Sequence, residues 1–255
     1  MSLIYILFIT TVITTMTTLS APHKNLAKIK VISLDITGTL LIHKEPIMET
    51  YASAASWALL PNSPTADELK PAFKQAYKEN LLKSPCFRND LYLYSSRQWW
   101  VATVRRTLEL CNRNYTDKEF NRFFRRVYQH YGSLNGYELL ADTLPFLEFL
   151  EKNRPEICLG ITTNTPVRSV ETVLPMMGLH NRFKFFVWYI QLVHDHYMIS
   201  CQDVGAEKPN PLIFQETYEQ AQFWTSSDLR KDEVLHIGDN LAADLCGTVL
   251  LINHQ

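Results

Sequence analysis

Apolar residues along this chain of 255 residues fall into two kinds of pattern. Four short runs are almost continuously aliphatic or aromatic: IKVISL (29–34), ICLGIT (157–162), FKFFVW (183–188) and EVLHIG (233–238). A strand covered on both faces reads this way, because neither side meets water. The four runs therefore predict strands of a parallel sheet. The other pattern has apolar positions three and four apart, as on one face of a helix. It runs through TYASAASWALL, TADELKPAFKQAYKENLL, SSRQWWVATVRRTLELC, TDKEFNRFFRRVYQHY and ELLADTLPFLEFLEKN. Thr65 with Glu68, and Thr116 with Glu119, have the spacing of capping boxes that open helices.

Order along the chain gives the architecture. More than a hundred residues separate the first two runs, and helical signals dominate them. Helical patterns also separate the later strands, as in an α/β sheet. The prediction is an α/β core built from residues 26–44 and 141–255, with a helical subdomain, 45–140, inserted just after the first strand. Ligands of such sheets bind beyond the carboxyl ends of the strands.

Composition narrows the class. Hydrophobic residues make up 46% of the chain and charged residues 20%, which suits a globular protein with a buried core. The net charge is -1 and the pI about 6.7, so no basic surplus argues for nucleic acid. The five cysteines, Cys86, Cys111, Cys158, Cys201 and Cys246, are odd in number and form no CxxC pair. They read as free thiols in a reducing compartment. Residues 1–25 form an apolar leader with no Lys or Arg before Lys24. It has the length of a secretory signal and is marginal for a membrane span, and a non-functional leader is the competing reading. A membrane role, or glycosylation at the NYT sequon of Asn114, would follow only if that leader is real. Otherwise the folded domain is read as cytoplasmic.

Chemistry concentrates at the ends of the predicted strands. Asp35 closes the first and is followed by Thr37, Gly38 and Thr39. Thr163 and Asn164 follow the second. Lys208 lies in GAEKPNPLIF, and Asp239 and Asp244 lie in GDNLAAD after the fourth. Singly, each has an ordinary reading: a turn-forming Asp, a loop Thr-Asn, a solvated Lys, an acid capping a helix. Together they suit phosphoryl chemistry. A carboxylate that attacks phosphorus needs its own charge and the substrate's offset, which a hard divalent ion on oxygen ligands and a fixed lysine both do.

In this order DITGTL, ITTNT, GAEKPNPLIF and IGDNLAAD resemble the four motifs of the haloacid dehalogenase superfamily. The likeness extends through YASAA, SRQWW and HIGDN and covers about residues 28–247. It implies a Rossmann-like three-layer α/β/α core with an inserted helical cap, and hydrolysis of a small phosphorylated substrate through an aspartyl intermediate on Asp35. It further implies Mg2+ held by Asp35, the main-chain carbonyl of Thr37 and Asp239, with Asp244 in support. Thr163, Asn164 and Thr37 would bind substrate, and Lys208 would steady the nucleophile and the transferred group.

Three features depart from the family pattern. Phosphatases of the family carry Asp where this chain has Thr37, and a Thr hydroxyl cannot titrate near neutral pH. General acid–base help is worth about 10²–10⁴-fold in rate, so slow turnover is expected. A catalytically weak relative that binds a phosphorylated ligand or a protein is the alternative. The segment WYIQLVHDHYMI (188–199) is an insertion. The HxH of His194 and His196 is too weak a spacing for a metal pair, and an extra exon or retained intron accounts for it better. Finally, the family continues with further helix and strand beyond ADLCGT, where this chain reads VLLINHQ, a candidate short last strand. A shortened product would expose apolar sheet surface. Arg97 could meet an anionic substrate, with a surface ion pair as the default reading, and the aromatics of LYLYSSRQWW read as core of the helical subdomain rather than a substrate platform.

Overall fold

The computed structural model describes residues 27–84, 96–166, 168–189 and 206–245. The leader, the 188–199 insertion beyond Tyr189, His194, His196 and the last ten residues lie outside that range, as do Cys86, Cys201 and Cys246. The chain packs into two compact units.

The first unit has a four-stranded parallel sheet in the order β5-β4-β1-β6. Its strands are β1 Val31–Leu34, β4 Cys158–Pro166, β5 Phe185–Tyr189 and β6 Val234–Ile237. All four predicted runs are strands, with ends moved by a few residues. β1 is central and buried along its whole length, which is why it carries almost no polar residues. It pairs with β4 on one side, Ser33 opposite Gly160, and with β6 on the other, Ser33 opposite His236. The sequence runs from β1 to β4 on one flank and returns to β6 on the opposite flank. The carboxyl end of β1 is thus a point where strand order reverses, the place where open α/β sheets bind ligands.

Helix α6, Pro211–Trp224, covers one face of this sheet. Its Ile213, Phe214 and Ala221 pack with Val31, Cys158, Phe185 and Val187. A Cβ on Gly160 would lie 2.2 Å from the Phe185 ring, so only glycine lets that ring lie across β4. Helix α5, Thr143–Asn153, buries Phe146, Leu147 and Leu150, each worth roughly 1.5–3 kcal/mol. Cys111 and Cys158 are buried free thiols.

The second unit, His43–Glu138 with 168–176, is helical. Helices α1 Ile47–Trp57, α2 Ala66–Lys83, α3 Ser96–Leu110 and α4 Asp117–His130 make it up. Both capping boxes form: the Thr65 and Thr116 hydroxyls accept from the Glu68 and Glu119 amides, and those carboxylates accept from the cap amides. Phe120, Phe123, Phe124 and Val127 of α4 are buried at the helical spacing of one face. Trp99 is buried and donates to the Ser84 carbonyl at 3.1 Å, so it is core, as its setting suggests. Arg97 differs from its reading. Its guanidinium lies over the rings of Phe124 and Tyr128, 5.2 and 5.6 Å from their centroids, and makes no ion pair among the described residues.

Two short strands escaped the apolar pattern: β2 Leu41–His43 and β3 Tyr137–Leu139, which pair with each other. Three residues are too few for an alternation to register. The pattern also gave no sign that 168–176 packs with the helices. There Arg168 stacks 3.8 Å from the Tyr128 ring centroid and donates to the Tyr128 carbonyl at 2.6 Å. Among the described residues no helix is long and apolar enough to cross a membrane.

Candidate active site

Asp35 follows β1 directly, and its amide donates to the Ile237 carbonyl at 2.9 Å, which ties it to the end of β6. The chain then turns back. The amides of Thr39, Leu40 and Leu41 all reach the Ile36 carbonyl, at 3.2, 2.8 and 3.1 Å. Gly38 makes this turn possible at φ 87°, a region that side chains disfavour. A Cβ there would also lie 2.3 Å from Asp239 Oδ2. One glycine therefore serves both the turn and the close approach of the acid from β6.

Lys208 is almost fully buried, and its Nζ stands between two carboxylates. It donates to Asp244 Oδ1 at 2.6 Å and lies 3.1 Å from Asp35 Oδ1. The second contact is close but poorly aligned for hydrogen bonding, and Asp35 Oδ1 receives no directed donor among the described residues. Asn164 fixes the backbone of this lysine. Its amide nitrogen donates to the Lys208 carbonyl at 2.9 Å, and its oxygen accepts from the Lys208 amide at 2.8 Å. The side chain expected to face substrate thus grips the lysine main chain.

Three hydroxyls form a row that ends on Thr37, two residues after Asp35. Thr163 Oγ1 donates to Thr165 Oγ1 at 2.8 Å, and Thr165 Oγ1 is 3.2 Å from Thr37 Oγ1. The Thr165 amide donates back to Thr163 Oγ1 at 3.1 Å.

Asp244 is the most heavily bonded acid of the group. Oδ1 accepts from Lys208 and from His236 Nε2 at 2.9 Å, and Oδ2 accepts from the Asn240 amide at 2.9 Å. Asn240 Oδ1 in turn caps the turn Leu241–Leu245 by accepting from the Ala242 and Ala243 amides. Gly238 has no room for a Cβ, which would lie 2.1 Å from Asp244 Cγ. Burial works against ionising Asp244, but the His236 hydrogen bond and the charge and hydrogen bond of Lys208 outweigh it and hold the carboxyl down at about 2. Asp239 goes the other way: burial first, then the charges of Asp35 and Asp244, push its carboxyl above the ordinary value.

Asp35, Asp239 and Asp244 each bring one carboxylate oxygen within 4.8 Å of the others. Among the described residues these three acids have one lysine beside them, and a buried oxygen of Asp35 receives no directed donor. That donor set is all hard oxygen and carries excess negative charge, so it fits a divalent cation such as Mg2+.

Residues 29–246 match the family of haloacid dehalogenase-like hydrolases. The chain belongs to that family. Human haloacid dehalogenase-like hydrolase domain-containing protein 3 is 26% identical over 220 residues, 86% of this chain and 78% of that protein. Two solved structures show the same fold. A HAD phosphatase from Thermococcus onnurineus aligns with a TM-score of 0.52 at 22% identity, covering 88% of this chain and 83% of that one. L-2-haloacid dehalogenase from Xanthobacter autotrophicus, with chloropropionic acid covalently bound, aligns at 0.56 and 16%, covering 88% and 74%. A shared HAD-like fold therefore does not choose between phosphorus and carbon as the atom attacked; the site residues must.

In this HAD-like hydrolase, Asp35, Thr37, Thr163, Asn164, Lys208, Asp239 and Asp244 all belong to the first unit. Its strand ends and the loop before α6 carry them. Sequence reasoning passed over Thr165, Asn240, Ser33 and His236. The signal for the last two was present: each is a polar residue inside an otherwise apolar strand.

Proposed function

We propose that this HAD-like hydrolase is a Mg2+-dependent phosphatase-type enzyme that acts on a small phosphorylated substrate through Asp35. The supporting observation is the lysine held between two acids: Lys208 Nζ is 3.1 Å from Asp35 and 2.6 Å from Asp244, with Asp239 alongside. An oxygen of Asp35 bonds to phosphorus as the bond to the leaving oxygen breaks, giving an aspartyl phosphate. Water then attacks phosphorus, restoring Asp35 and releasing inorganic phosphate. Asp35, the Thr37 carbonyl and Asp239 would hold Mg2+, with Asp244 in support. Bound there, the ion supplies positive charge that offsets the carboxylate and the phosphoryl oxygens. Lys208 orients the nucleophile and adds fixed charge. The Thr163 and Thr165 hydroxyls, joined in a row to Thr37, suit phosphoryl oxygens. Asn164 serves by holding the Lys208 backbone. The helical unit takes the family's cap role as part of the same proposal.

Thr37 argues for phosphorus over carbon less than it argues for slowness. Its hydroxyl can donate a hydrogen bond to the leaving oxygen, but it cannot deliver a proton and later take one from water. The same feature favours the second reading, a phospho-ligand-binding relative with little turnover.

Aryl-phosphate hydrolysis with Mg2+, compared between wild type and Asp35→Asn, decides between them. Turnover that disappears in Asp35→Asn supports the enzyme. Equal signals from both proteins support the binding reading.

A further inference from the structure

A row of hydrogen-bonding side chains crosses the face of the sheet under α6 and ends on the site. Thr217 of α6 donates to the Ile213 carbonyl at 2.8 Å and is 2.7 Å from Thr162 Oγ1. Ser33 donates to Thr162 Oγ1 at 2.6 Å, and His236 Nδ1 is 3.3 Å from Ser33 Oγ. His236 Nε2 then reaches Asp244 Oδ1 at 2.9 Å, the oxygen that also takes Lys208. Four elements, α6, β4, β1 and β6, contribute to this row, and every side chain in it is buried.

The geometry singles out the imidazole. His236 stands opposite Ser33 in the parallel register, and the Phe214 ring meets it edge to face, centroids 5.2 Å apart. Ser33 and Phe214 thus flank the ring before it touches Asp244. Asp244 needs such a hold. Its carboxylate must keep one rotamer to present Oδ1 to Lys208, and Lys208 must keep its place to stay beside Asp35. An ionised Asp244 accepts, so the ring presents Nε2–H to it; Nδ1 makes the longer contact to Ser33.

We infer that His236 is a positioning residue: through Nε2 it fixes the Asp244 carboxylate, which sets Lys208 against Asp35 and supports the cation that Asp35 and Asp239 would hold. It touches neither substrate nor reacting atoms. The inference rests on the phosphatase reading for its catalytic consequence, but its effect on cation binding does not. In many metal sites, groups that orient ligands from behind are worth 10–100-fold in metal affinity or activity.

Two substitutions of similar polarity separate positioning from packing. In His236→Gln the side-chain amide nitrogen can occupy the place of Nε2. In His236→Asn it stops near the place of Nδ1 and cannot reach Asp244. Both lose the ring's contact with Phe214. The probe is Mg2+ alone, titrated calorimetrically into each full-length protein after circular dichroism has shown it folded, alongside aryl-phosphate turnover. Expected is a loss of about 10–100-fold in Mg2+ affinity for His236→Asn, most of it recovered in His236→Gln, with the same order in kcat. Equal affinities for the two variants, or two variants with lowered melting temperatures and unchanged affinity, would overturn the inference. Should wild type fail to turn over more than Asp35→Asn, the phosphatase reading falls, and the Mg2+ titrations still judge His236.

Discussion

Thr37 Oγ1 lies 3.2 Å from Thr165 Oγ1, so the residue two positions after Asp35 is joined to the hydroxyl row on β4 and not left as a free side chain. A carboxylate at that position could both donate and accept a proton in the two half-reactions; a hydroxyl cannot. Thr37→Asp should therefore raise kcat on alkyl phosphates by about 10²–10⁴-fold, the usual worth of general acid–base help. Steady-state kinetics on an alkyl and an aryl phosphate checks this, and the aryl substrate should gain less because only the hydrolysis of its intermediate is assisted, whereas the alkyl substrate gains in both steps.

Wild type should show a burst. With a good leaving group, formation of the aspartyl phosphate needs little acid assistance, whereas its hydrolysis needs a base to activate water. Rapid-quench measurement with p-nitrophenyl phosphate should give a first turnover approaching one nitrophenol per active site, followed by a slower steady rate. Thr37→Asp should shrink that burst. A linear time course from wild type would place the slow step before the intermediate.

Lys208 is buried between acids, so its removal leaves like charges facing each other. Breaking a buried ion pair by deleting one partner costs about 3–5 kcal/mol. Lys208→Met should lose a comparable amount in urea unfolding without added metal ion, and turnover should fall with it. Added Mg2+ should restore part of the stability, since a cation near Asp35 and Asp239 offsets the same repulsion. A variant as stable as wild type without metal would show that the lysine does not balance this charge.

Asp244 links the site to pH. Its folded-state value of about 2 lies below its ordinary 3.8. A depressed carboxylate stabilises the fold above the unfolded value, and that contribution fades as pH falls through the folded one. The window is thus from about pH 4 down to about pH 2, and the gap corresponds to about 2 kcal/mol. Urea midpoints across that window should fall more steeply for wild type than for Asp244→Asn. Parallel curves would mean that the His236 and Lys208 contacts do not favour the ionised form.

The sequence exposed the sheet because its strands are covered on both faces, and continuous apolar runs such as VISL and CLGIT have few other homes. It exposed the strand-end chemistry because Asp35, Thr163 and Asp239 directly follow those runs. What stayed hidden depends on contacts far apart in the chain. Asn164 meets the Lys208 backbone across 44 residues, and no local pattern announces that its amide faces a lysine main chain. His236 looks like one more strand residue until the turn after β6 brings Asp244 back to it. Arg97 was misread because the rings that it covers lie on α4, and spacing within α3 gives no view of them.

The central claim is that phosphoryl transfer passes through Asp35, and peptide mapping by mass spectrometry after acid quench of protein mixed with an aryl phosphate and Mg2+ tests it most directly. The account predicts one phosphoryl group on the peptide that contains Asp35, absent from Asp35→Asn and longer-lived in wild type than in Thr37→Asp. Phosphate released with Asp35 never modified, or a phosphoryl group on a different residue, would contradict it.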